Sequence, residues 1–88
     1  MRFDLDRPYQ LNPAVALRPE PFGALAYHFG NRRLSFLKTP QLVTVVRLLE
    51  SQASAAAALD AAGVSTLERA RYAAALAALA DSEVIDAR

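Results

Sequence analysis

All five prolines of this 88-residue chain lie at or before position 40, and none follows. A proline removes a backbone donor and blocks a helix interior. The first forty residues are therefore punctuated, while the remainder can run helical without interruption. Composition changes at the same boundary. Of the 28 residues from Ala53 to Ala80, 14 are alanine, the strongest helix former, whereas the aromatic residues cluster before Pro40. The division predicts an α+β domain over residues 1–88, strands first and helices after, with an ordered core at about 14–85.

Three strands are expected in the front half. Ala14 to Arg18 is extended and is followed by the turn-rich Pro19-Glu20-Pro21-Phe22-Gly23. Ala24 to Phe29 alternates, with Leu25, Tyr27 and Phe29 on one face and Ala24, Ala26 and His28 on the other. Gly30-Asn31 reads as a two-residue type II′ hairpin leading into a return strand, Arg32 to Leu37. The product is a three-stranded antiparallel meander whose aromatic side faces the core. The first twelve residues, with Asp4 and Asp6, read as a mobile segment without a motif.

Three helices are expected behind it. Thr39 caps the first and Pro40 occupies its first position, where a missing N–H does no harm. Leu42, Val45, Val46 and Leu49 then form an amphipathic stripe. The second runs from Ser54 to about Ala62 and stops at Gly63, suited to a left-handed C-terminal position. The third starts at Ser65 in a capping box with Glu68, carries Tyr72, Ala75, Leu76 and Leu79 on one face, and ends near Ser82. Val84 and Ile85 fold back on the core. Three strands beside a closely spaced helix pair outline a winged helix-turn-helix.

Chemistry is sparse. No cysteine means no disulfide, thiolate metal site or cysteine nucleophile, and a single histidine excludes multi-histidine metal sites. His28 sits mid-strand with no motif bringing a carboxylate to it, the serines lie outside any nucleophile elbow, and the glycines form no phosphate loop. No cofactor and no catalysis are expected. No apolar run would span a bilayer and no signal peptide opens the chain, so a cytoplasmic protein without a membrane partner is expected.

Two binding functions fit the outline. A small transcriptional regulator would use the third helix on DNA, but that helix offers only Arg69 and Arg71 near its start, and residues 41–88 carry four bases against six acids. A peptide binder would instead use an exposed strand edge, which an extended guest can complete. Tyr72, Ala73 and Leu76 would then wall a groove, with Arg69 and Arg71 offering charge, although Tyr72 and Leu76 also suit the core.

Arg18 to Lys38 reads RPEPFGALAYHFGNRRLSFLK, and TPQLVTVVRLLE follows it directly. This combination closely resembles the mycofactocin branch of the PqqD-like peptide-recognition family over residues 14–85. The resemblance implies three antiparallel strands followed by three helices. It also implies a non-catalytic chaperone that captures the leader of a ribosomally made precursor peptide, here the mycofactocin precursor, as an added strand. Its partner would be a radical S-adenosylmethionine maturase, and nucleic acid would not be a ligand. Carried over by position, the peptide meets Arg33, Leu34, Ser35, Phe36 and Leu37 on the third strand and Arg69, Tyr72, Ala73 and Leu76 on the third helix. A proline at Ser35, or Leu34→Asp, is expected to abolish capture in a folded domain.

Overall fold

The structure, a computed structural model, describes residues 2–88. Five strands and three helices follow in the order β1 (Tyr9–Leu11), β2 (Val15–Glu20), β3 (Gly23–His28), β4 (Leu34–Leu37), α1 (Pro40–Leu48), α2 (Ala55–Ala61), α3 (Arg69–Asp81) and β5 (Ile85–Ala87), with one 3₁₀ turn at Leu49–Ser51. Strands β2, β3 and β4 form the expected antiparallel meander, in that spatial order. A second, two-stranded sheet pairs β1 with β5, Tyr9 opposite Ala87.

That second sheet corrects the reading of the N-terminal segment as mobile. Tyr9 is completely buried and stacks on Phe3 with ring centroids 4.9 Å apart. The carbonyls of Arg7 and Leu5 accept the N–H groups of Ala55 and Ala56, both at 2.9 Å. Those donors open α2 and have no partner within the helix, so the arm completes the cap that Ser54 begins by accepting from the Ala57 N–H. Sequence periodicity missed this because the arm is tied by main-chain bonds and one aromatic ring.

The faces of the meander are reversed from expectation. Ala24, Ala26 and His28 point into the core, while Tyr27, Phe29, Leu34 and Phe36 are exposed. The reason lies in the opposite layer. Helix α1 packs directly on β3 and brings Leu42, Val45 and Val46 into the core, so small residues on the sheet let the two layers approach.

The β3–β4 connection also departs from the two-residue turn. The His28 N–H donates to the Arg33 carbonyl and the Arg32 N–H to the His28 carbonyl, leaving a four-residue loop in which Arg32, not a glycine, has φ of 62°. The imidazole holds it open. Its Nδ1 accepts from the N–H groups of Gly30 and Asn31 at 2.9 and 3.1 Å.

The starts of α1 and α2 and the stop of α2 follow local chemistry, and α3 departs from it at both ends. Thr39 Oγ1 accepts from the Leu42 N–H at 3.0 Å, with Pro40 in the first turn as expected. Gly63 has φ of 76°, and the N–H groups of Gly63 and Val64 return to the carbonyls of Asp60 and Leu59, a complete Schellman closure of α2. Helix α3 begins at Arg69, four residues later than the expected Ser65, and no side chain caps it. The Glu68 N–H donates to the Ser65 carbonyl at 3.0 Å rather than to its hydroxyl, and the Glu68 carboxylate pairs with Arg71. Val84 and Ile85 return to the core, as expected, with Ile85 opening β5.

Candidate functional site

An added strand needs main-chain groups that point away from the sheet. In an antiparallel pair, hydrogen-bonded and non-bonded residue pairs alternate. The bond from His28 N–H to the Arg33 carbonyl sets the phase, and the register Ala26↔Ser35 and Ala24↔Leu37 carries it along β4. Ser35 and Leu37 therefore bond inward to β3. Leu34 and Phe36 direct their N–H and C=O groups to the free edge.

The opposite edge is blunted. The Phe29 N–H donates to the Ala14 carbonyl, so the parity along β2 directs Val15, Leu17 and Pro19 outward. The Val15 N–H is taken by the Asn12 carbonyl, and Pro19 has none to offer. Within the meander, β4 is the edge that presents consecutive outward donors.

Beside that edge runs a cleft of about 620 Å³ between β4 and α3. Its β4 side is Ser35, Phe36 and Lys38, and Leu42 comes from α1. The α3 wall is Arg71, Tyr72, Ala75, Ala78, Leu79 and Ser82, residues three and four apart that share one helix face. Tyr72 fixes the two sides at one end. Its hydroxyl lies 2.8 Å from Thr39 Oγ1 and donates to Gln41 Oε1 at 3.3 Å, so α3 is bonded to the residue that caps α1. At the other end the hairpin loop reaches across, Asn31 Nδ2 donating to the Ser82 carbonyl at 3.1 Å. The wall between these ties is alanine. The lining carries two cations, Lys38 and Arg71, and no carboxylate.

The residues expected at the site are divided by this geometry. Ser35, Phe36 and Tyr72 line the cleft. Arg33 and Leu34 are exposed at the start of the edge, Leu34 with its side chain on the sheet's outer face. Leu37 and Leu76 are fully buried in the core. Arg69 turns toward α2 and pairs with Asp60 at 2.6 Å. Ala73 lies on the other flank of α3, where a more open depression of about 860 Å³ is bordered by Arg2, Phe3, Asp4, Leu5 and Arg7 but by no free strand edge. Arg71, expected to bring charge to the groove, lines it, whereas Lys38, Thr39, Leu42, Ala75, Ala78, Leu79 and Ser82 were not singled out from sequence as groove residues. Stepping by three and four residues from Tyr72 would have found the helical part of them.

Among the described residues no cluster of histidine and acidic side chains could hold a metal ion, and no helix is long and apolar enough to cross a membrane. What the cleft offers is a strand template beside an apolar, cation-edged wall.

Residues 8–86 match the peptide chaperone MftB family. Among curated proteins, the peptide chaperone MftB of Mycobacterium ulcerans (strain Agy99) is 51% identical over 83 residues, covering 94% of this chain and 76% of the relative. Those of Mycobacterium tuberculosis (strain ATCC 25618 / H37Rv) and Mycolicibacterium smegmatis (strain ATCC 700084 / mc(2)155) are 47% and 49% identical over the same share of this chain and cover 76% and 81% of the relatives. No solved structure matches significantly.

Proposed function

The chain belongs to the peptide chaperone MftB family, and we propose that it captures the leader of a ribosomally made precursor peptide as a fourth strand on β4. It then hands the held peptide to a radical S-adenosylmethionine maturase, without catalysing a reaction itself. The observation that carries this reading is the coincidence of the meander's open edge, at Leu34 and Phe36, with the cleft against α3.

Magnitudes assign the work between the two. Leu34 and Phe36 together offer two donors and two acceptors. At about 0.5–1.5 kcal/mol net for each bond, they contribute about 2–6 kcal/mol. Micromolar binding requires about 8 kcal/mol, after the ordering of a flexible guest. The rest must come from apolar side chains entering the cleft over Tyr72, Ala75 and Leu79, at about 25 cal/mol per Å² buried. The edge sets orientation, and the cleft selects sequence.

The parity of β4 chooses the test. Proline at Ser35 would delete an inward N–H and damage the sheet itself. Phe36→Pro deletes an outward N–H, the position at which an edge strand tolerates proline. Calorimetric titration with a synthetic mycofactocin precursor should show at least a tenfold loss of affinity in Phe36→Pro, with the far-ultraviolet circular dichroism retained. Unchanged affinity in a folded variant would overturn strand addition.

The regulator reading gains no support from the helix meant for DNA. Arg69 and Arg71 are engaged by Asp60 and Glu68, and the exposed positions between them and Asp81 are alanine.

A further inference from the structure

The helix-free face of the meander is unusually apolar. Of the six large hydrophobic side chains exposed among the described residues, five, Phe22, Tyr27, Phe29, Leu34 and Phe36, lie on this face. They are organised: Phe22 stacks on Phe36 at 5.9 Å, and Tyr27 meets Phe29 edge-on at 5.0 Å. Leu34 lies opposite Tyr27 across the β3–β4 pair. A contiguous exposed apolar patch marks an interaction surface, and aromatic side chains are the type enriched at interface centres.

Charge says what kind of surface would cover it. Within residues 14–38 the only acid, Glu20, is paired with Arg18 at 3.0 Å. Arg32, Arg33 and Lys38, at the two ends of β4, have no ion-pair partner among the described residues. The patch is rimmed by free cations, and the one carboxylate that reaches its hairpin end, Glu83, contacts the Asn31 amide.

Position says when it would be covered. A guest strand on β4 directs alternate side chains to opposite faces. One set enters the cleft and is covered by α3. The other emerges beside Leu34 and Phe36, continuous with the patch, and is the part of the guest that a second protein can touch.

We infer that the outer face of the sheet docks the enzyme that modifies the captured peptide, through an apolar, carboxylate-rimmed surface on that enzyme. The inference rests on peptide capture as the role of this chain. Because the host contributes most of the patch, the enzyme binds it without peptide, more weakly than with it. By linkage, the enzyme then tightens peptide binding by the same factor.

The test is the double variant Tyr27→Thr/Phe29→Ser, which touches neither the cleft nor the free edge and keeps a β-branched residue in β3. Purified radical S-adenosylmethionine maturase is titrated into labelled chaperone, with and without synthetic precursor. The variant should remain folded, bind precursor within twofold of wild type, and lose at least tenfold in enzyme affinity in both titrations. Wild-type enzyme binding should weaken as salt rises, because the rim charges are exposed. Wild-type enzyme affinity in the double variant overturns the inference. So does self-association of the wild type by sedimentation that the variant abolishes while enzyme binding persists, which would give the face to a second copy. Binding of a labelled single-stranded oligonucleotide through Tyr27 and Phe29, with enzyme binding unaffected, would make it a stacking platform and overturn the inference as well. Failure of the wild type to bind precursor would count against peptide capture, and the titration without peptide would still decide the surface.

Discussion

His28 accepts two main-chain N–H groups at Nδ1, so its neutral ring carries the proton on Nε2, an atom that is buried without a partner. Gly30 is required beside it: a Cβ there would lie 2.8 Å from the imidazole Cε1. His28→Ala should therefore cost about 1–3 kcal/mol by orphaning the loop donors, measured by urea unfolding, with the loss concentrated in the β3–β4 loop by hydrogen exchange. At the end of α3 a different residue is misplaced. The N–H groups of Glu83 and Val84 return to the carbonyls of Ala80 and Leu79, the same closure that ends α2, but here Glu83 holds φ of 62° where glycine is favoured. Its side chain makes one long, exposed contact with Asn31, 3.4 Å. Glu83→Gly should stabilise the fold by about 1 kcal/mol, a rise in Tm of about 4–8 °C for a domain of this size. The stop at Gly63 was legible because glycine announces itself. The stop at Glu83 was not, since nothing in a glutamate advertises a left-handed backbone.

Helix α3 divides its residues among three neighbours: Ala75 and Ala78 to the cleft, Leu76 to the core, Ala73 to the N-terminal arm. Substitutions one residue apart should consequently separate binding from stability. Ala75→Phe should fill the cleft and lower precursor affinity at least tenfold with little change in unfolding free energy. Leu76→Ala should cost about 2–5 kcal/mol of stability while the folded fraction binds with unaltered affinity; paired calorimetry and denaturant titration read both. Tyr72→Phe should cost about 1 kcal/mol, because the ring remains but the bond to Thr39 is lost. Much of this was legible. The first two helices begin where Thr39 and Ser54 indicate, the three strands lie where expected, and the groove runs along the strand singled out for it. Two things were hidden. Which main-chain groups of β4 face outward depends on pairing parity, set by one bond in a hairpin whose loop length the Gly30-Asn31 pair misstates. Which face of β3 is buried depends on how near α1 comes, and alternation alone gives two equal answers.

At the scale of the whole molecule, the N-terminal arm is part of the body. The Cα radius of gyration is 11.7 Å, against about 12 Å for a compact domain of this length. Tyr9→Ala should remove about 3–5 kcal/mol and expose the opening turn of α2 to faster hydrogen exchange, because the arm's carbonyls serve that turn. Arg88 fastens the other strand, donating from its backbone to Pro8 and from Nε to the Tyr9 carbonyl, with Nη2 on the Gln52 carbonyl. Pairing of β1 with β5 has a further consequence for how this domain can be connected. Strands β1 and β5 lie side by side, Tyr9 opposite Ala87, on the flank of α3 away from the cleft. A short linker between these two strands need not cross the β4 edge or the aromatic face. The architecture therefore suits circular permutation, because β1 and β5 are occupied with each other and not with the cleft.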